Sequence, residues 1–174
     1  MVPVLALLLF VTPAAFGISV FAYYQLAHEK VALCLMGTLA GLSLATTLLY
    51  TSTLLLPLGL PSVLVLVTLC FAGTVYYISY PRSLHMLKTI PTDKVALLVL
   101  VITALLASLL APKLLWQAKD GFYTGLINAY GDAPWHIANI TNFVTGQTFP
   151  PQDPIFAGTP LAYPFLVNFF SAAL

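Results

Sequence analysis

From Val31 to Pro81 the chain carries no charged side chain, and none occurs before Glu29. A helix needs about 20 apolar residues to cross the hydrocarbon of a bilayer. The stretch between Lys30 and Arg82 is too long for one such span and long enough for two. The break falls at Pro57-Leu58-Gly59-Leu60-Pro61, where prolines and a glycine interrupt helical hydrogen bonding. Only 6% of the 174 residues are charged and 60% are hydrophobic, whereas an ordinary soluble domain is roughly 25% charged. No water-soluble fold covers that much apolar surface with so few charges, and a bilayer removes the need to cover it. The chain therefore reads as an integral, multi-pass membrane protein whose first partner is membrane lipid.

The pattern predicts an all-α fold: a polytopic transmembrane helix bundle with four full spans, a truncated fifth, and an amphipathic interfacial helix in an outer loop. Span one covers 2–25 and is closed by Tyr23, Tyr24 and His28-Glu29-Lys30, with aromatic rings where membrane meets water. Ala14 and Ala15 raise the possibility of a signal peptide. No basic residue precedes the apolar run, however, and the run continues to Tyr24, so an uncleaved span is expected. Spans two, three and four are expected at 31–56, 61–80 and 95–115, with a polar stretch at 81–94 between the last two. Residues 116–160 are mixed in character and form the one long extramembrane segment. The sequence turns apolar again at Leu161. The stretch to Leu174 would reach about 21 Å as a helix, short of the roughly 30 Å hydrocarbon core. It is expected to begin a fifth span, with the remaining helices supplied by further sequence of the same chain.

Lys and Arg set the expected orientation. Lys30, Arg82, Lys88 and Lys94 fall on one side if four helices alternate, and Lys113 and Lys119 fall on the other. The bias puts the N-terminus and the 116–160 segment outside, in the extracytoplasmic space. A net charge of +1 gives no basic field for nucleic acid. Cys34 and Cys70 sit singly in apolar runs and read as small packing residues without metal or redox spacing.

The residues that carry chemistry cluster in Tyr130-Gly131-Asp132-Ala133-Pro134-Trp135-His136-Ile137-Ala138-Asn139. Pro134 suits the first turn of a helix over about 133–145, with Asp132 or Ala133 as its cap. In that helix Asp132, His136 and Asn139 share one face, and Ile137, Ile140, Thr141 and Val144 share another. Such a helix can lie on the membrane surface with its polar stripe toward a cavity or substrate. Asp132 can equally be a cap that complements the helix dipole. One Asp and one His supply too few ligands to specify a metal. Asn139-Ile140-Thr141 matches the N-glycosylation pattern but lies inside the predicted helix. Downstream, a proline-rich run from Gly146 to Phe165 is stiff and extended. It can bring Asp153 and the Tyr163 hydroxyl toward Asp132, or simply form a rigid entry into the next helix.

The Gly-Asp-x-x-x-His motif at 131–136, followed by Pro-Pro-x-x-Pro-x-Phe-Ala-Gly-x-Pro-Leu-x-Tyr at 150–163, resembles the first outer loop of GT-C superfamily membrane glycosyltransferases. More narrowly, it resembles bacterial and archaeal proteins near the dolichyl-phosphate-mannose-type mannosyltransferases. The resemblance covers about 95–174, making residues 1–94 a three-helix N-terminal addition and 95–174 the start of a GT-C-like module. It implies a hexosyltransferase that passes sugar from a polyprenyl-phosphate donor to an acceptor at the outer face of a prokaryotic cell membrane. It further implies Asp132 and His136 as catalytic residues, with Asn139, Asp153, Tyr163 and Lys119 binding substrate. A divalent metal is an open option for the leaving phosphate. The alternatives are a non-catalytic scaffold or assembly protein and a transporter component. Spans one to four hold no ionisable residue in their interiors, which disfavours the transporter.

Overall fold

The computed structural model describes residues 2–114, 116–123, 132–146, 150–156 and 158–174. Tyr130 and Gly131, which open the Gly-Asp motif, lie outside them. Helices dominate. In chain order they are α1 (Val2–Tyr24), α2 (Lys30–Ser52), α3 (Leu60–Ile78), α4 (Pro81–Thr89) and α5 (Lys94–Leu114). A short antiparallel ribbon, β1 (Trp116–Ala118) with β2 (Gly121–Tyr123), precedes α6 (Asp132–Val144) and α7 (Leu166–Ala173). Three helices, α1 to α3, are long and apolar enough to cross a membrane, and α5 with α4 makes a fourth candidate bent by 86°.

α1 packs lengthwise against α2 and α3. The α1–α2 contact is backbone on backbone. A Cβ added at Gly17 would collide with the Gly37 carbonyl oxygen, and one at Gly41 with the Pro13 carbonyl oxygen. Gly37-x-x-x-Gly41 is the small-residue spacing that lets apolar helices approach closely when water supplies no driving force between them. The hydroxyls of Thr12, Ser19, Thr46 and Thr74 bond back to carbonyls three or four residues earlier, which satisfies them without a partner from another helix.

The helix ends follow local chemistry. Glu29 caps α2, its carboxylate accepting from Val31 N (3.1 Å) and Ala32 N (2.7 Å). Asp93 caps α5 through Val95 N (2.8 Å). α1 ends at Gln25, which takes the left-handed backbone (φ 56) usually left to glycine, while Leu26 N reaches back to Phe21 O. Span two ends four residues earlier than its sequence suggests, at Ser52. Ser52 and Thr53 turn their hydroxyls onto Leu49 O and Tyr50 O, and Pro57 disfavours the helical conformation in the residue before it.

At the α1 C-terminal end, Tyr23, Tyr76, Tyr77 and Tyr80 form an aromatic cluster, with Tyr23–Tyr80 centroids 5.0 Å apart and Tyr80 OH donating to Tyr76 OH at 2.7 Å. Lys30, Arg82, Lys88 and Lys94 gather at this same end. The polar stretch at 81–94 is not a bare loop there. It folds as α4, with Pro81 at its first position, and packs on α1. Ser83 is buried and bonds Tyr77 O (2.7 Å), and Lys30 N bonds Pro91 O (2.9 Å).

α6 and α7 pack on each other and on the opposite end of the bundle. Phe143 of α6 and Phe169 of α7 are fully buried in one core with Leu9, Ala45, Leu49, Val63 and Leu66. The segments on either side of residue 94 therefore share a core. α7 lies along the flank of the bundle. Leu166 and Phe170 border a groove with Phe10 and Thr46, and Ala172 and Ala173 face Leu5 and Leu58. α5 stands apart: along 94–110 only Ala96 and Leu100 are even half-buried.

Candidate functional site

α6 begins at Asp132, carries Pro134 within its first turn, and ends at Val144. Gly146 follows with φ 98, its N–H bonding Phe143 O at 3.1 Å, the glycine stop expected of a helix C-terminus. Two anchors fix the helix. Phe143 sits against Phe169 (5.5 Å, edge-on) and Phe165 (5.7 Å), and Asn142 Nδ2 donates to Gln152 O at 3.0 Å. With one face so held, the stripe of Ile137, Thr141 and Val144 is left exposed.

Asp132, His136 and Asn139 do share a face, and burial grades along it. Asp132 is exposed, His136 is half-buried, and Asn139 is wholly buried. The face thus opens outward at the helix start and closes into protein two turns later. Among the described residues no hydrogen bond or ion pair reaches the Asp132 carboxylate. His136 Nδ1 lies 2.9 Å from Asn168 Oδ1 on α7. Trp135 meets Tyr163 edge-on at 4.3 Å, and the His136 ring lies 6.3 Å from the same tyrosine. Asn139 Nδ2 donates to Trp135 O at 2.9 Å. The result is a small polar and aromatic nest of Trp135, His136, Tyr163 and Asn168, with Asp132 one turn away at its rim.

The proline-rich loop is a closed structure rather than a loose strap. Gln152 and Pro160 form an isolated bridge, Asp153 N bonds Thr159 O (2.9 Å), and Leu161 N bonds Pro151 O (2.9 Å). Asp153 Oδ1 accepts from Ile155 N (2.8 Å) and Phe156 N (3.1 Å), so this carboxylate holds its own turn. The loop brings Tyr163 to the nest. Lys119 sits exposed in the turn of the β1–β2 ribbon, which among the described residues makes no extensive contact with α6 or α7. In that turn Tyr123 OH donates to Asp120 Oδ2 at 2.6 Å and holds the Asp120 carboxyl below its usual range. Among the described residues no three of His, Cys, Asp and Glu gather around a common point suited to a metal.

Asn168 is the residue that sequence reasoning passed over. Its signal was present, an amide inside the otherwise apolar run from Leu161. A polar side chain in such a run is usually paired with a neighbouring helix. Comparison with protein-family models, curated proteins and solved structures finds no match.

Proposed function

We propose that the chain belongs to a membrane glycosyltransferase. It would use a polyprenyl-phosphate-linked sugar and work at the extracytoplasmic face, with Asp132 as general base and His136 beside it. The observation that carries this reading is the rim carboxylate of Asp132, one helical turn from an imidazole anchored by Asn168, at the bundle end opposite the basic cluster. The positive-inside rule turns that end outward. The exposed stripe of Ile137, Thr141 and Val144 suits a helix lying in the interface, the depth at which the headgroup of a lipid-linked donor sits. In the reaction a carboxylate takes the proton from the acceptor hydroxyl as its oxygen attacks the anomeric carbon, and the lipid phosphate departs. Tyr163 and Trp135 offer ring faces and edges of the kind that pack on sugars. Asp153, with one oxygen committed to its turn, shapes the loop.

The test is Asp132→Asn in the intact protein, reconstituted with a lipid-linked sugar donor. Asn retains much of the ability to cap a helix and lacks basicity. Loss of a positioned general base lowers the rate by about 10²–10⁴-fold. Transfer at the wild-type rate by a folded Asp132→Asn protein would reduce Asp132 to a cap and remove the catalytic assignment.

A further inference from the structure

Among the described residues, two buried side-chain atoms on α6 and α7 lack a hydrogen-bond partner: Asn139 Oδ1 and Asn168 Nδ2. One is an acceptor and the other a donor. They sit on helices that pack together, and His136 already bonds Asn168 three residues before Asn139 on the same face. A buried polar group left unpaired is costly, so a complementary donor and acceptor on two packed helices call for joining. We propose that Asn168 Nδ2 donates to Asn139 Oδ1, and that this pair locks His136 as its Nδ1–H tautomer with Nε2 left as an open lone pair.

The amide orientations follow from the buried end of α6 outward. Asn139 must aim its NH₂ at Trp135 O, because a carbonyl there accepts and cannot donate. That fixes Asn139 Oδ1 as the atom needing a donor. Asn168 supplies it with its own NH₂, which turns its Oδ1 to His136. An acceptor facing Nδ1 requires the proton on Nδ1. Each bond thus dictates the next, and the buried end of α6 determines the chemistry of a ring near its exposed start. A neutral imidazole with a bare Nε2 accepts a hydrogen bond or a proton from a hydroxyl group; the opposite tautomer presents a donor instead. Asn139 and Asn168 are positioning residues in this arrangement, acting on a hydroxyl-bearing ligand only through His136. The His136 tautomer is set by these bonds whether or not the chain transfers sugar.

The experiment is nitrogen NMR of the intact chain, labelled at histidine, in nanodiscs at about pH 9, where an ordinary imidazole is neutral. His136→Gln assigns the His136 signals against those of His28 and His85. The expected result is a protonated Nδ1 and a bare Nε2 at His136. Asn168→Asp keeps an acceptor opposite Nδ1 and is expected to keep that tautomer. Asn168→Leu and the nearly isosteric Asn139→Leu are expected to release it into a mixture. A protonated Nε2 in the wild type, or an unchanged tautomer in a folded Asn168→Leu protein, would overturn the proposal. Should Asn168→Leu fail to fold, Asn139→Leu decides in the same way. Failure here leaves the Asp132→Asn rate test untouched.

Discussion

Adding one methyl group at Gly41 should separate α1 from α2, while the same change at Gly73 should not. At Gly41 the new Cβ meets the Pro13 carbonyl oxygen, and at neighbouring Gly37 it would stand 2.7 Å from Ile18 Cα, where ordinary contact begins at 3.4 Å. Backbone atoms cannot rotate away, so the helices must part by more than half an ångström. A gap of about 0.5–1 Å forfeits a quarter to a half of each dispersion well, and each well is worth about 0.1–0.2 kcal/mol. Over roughly 40 atom pairs the loss is about 2 kcal/mol, within the usual 1–3 kcal/mol of overpacking. At Gly73 the obstacle is the Phe16 ring, 2.6 Å away, and a half-buried ring can swing. Both substitutions gain about 1 kcal/mol of helix propensity, which cancels in the comparison. Gly41→Ala should therefore be less stable than Gly73→Ala by about 2 kcal/mol, or roughly 30-fold in the unfolding equilibrium. Reversible unfolding in mixed micelles measures it. Coincident unfolding curves for the two variants would refute the backbone-contact argument.

Glu29→Ala removes both hydrogen bonds that cap α2 and should cost about 1 kcal/mol in the same assay. Gln25→Gly relieves a left-handed residue at the α1 terminus and should raise stability by up to about 1 kcal/mol; a loss would show that the Gln25 side chain holds the turn. Cysteines placed at the exposed positions Thr89 and Gln152, in a background lacking Cys34 and Cys70, should react with an impermeant thiol reagent from opposite sides of the membrane. Labelling of both from one side would break the assignment of α5 as a crossing helix. Ser83, although in a polar stretch, is unsuitable for this purpose because it is wholly buried.

The apolar helices were legible because their signal is additive along the chain: charge-free length, proline breaks and flanking tyrosines each mark them. The start of α6 was equally plain from Asp132 and Pro134. What a linear reading missed depends on partners distant in sequence. α4 looked like a polar loop, since its few apolar residues find their place only against Ala22 and Leu33. The backbone contact of Gly17 with Gly37 and Gly41 was written as small-residue spacing but needs two helices to have meaning. At the site, the Asp132–His136–Asn139 stripe was readable from helical period alone. Its gradient from exposed to buried was not, because that follows from Phe143 seating α6 on the bundle. Asn168 stood 32 residues from the histidine it anchors.

The isolation of α5 makes it a reporter. Its apolar circumference touches almost nothing within the described residues, so swapping one apolar side chain for another at Leu98, Val101, Leu105 or Leu109 is neutral for the bundle itself. Any sensitivity found along this helix then comes from its surroundings. Uniform tolerance is the signature of lipid, whose fluid chains refill every shape. Sensitivity recurring every three to four residues is the signature of a second helix lying along one side. A substitution scan of a single element thus distinguishes a lone crossing from an assembled one.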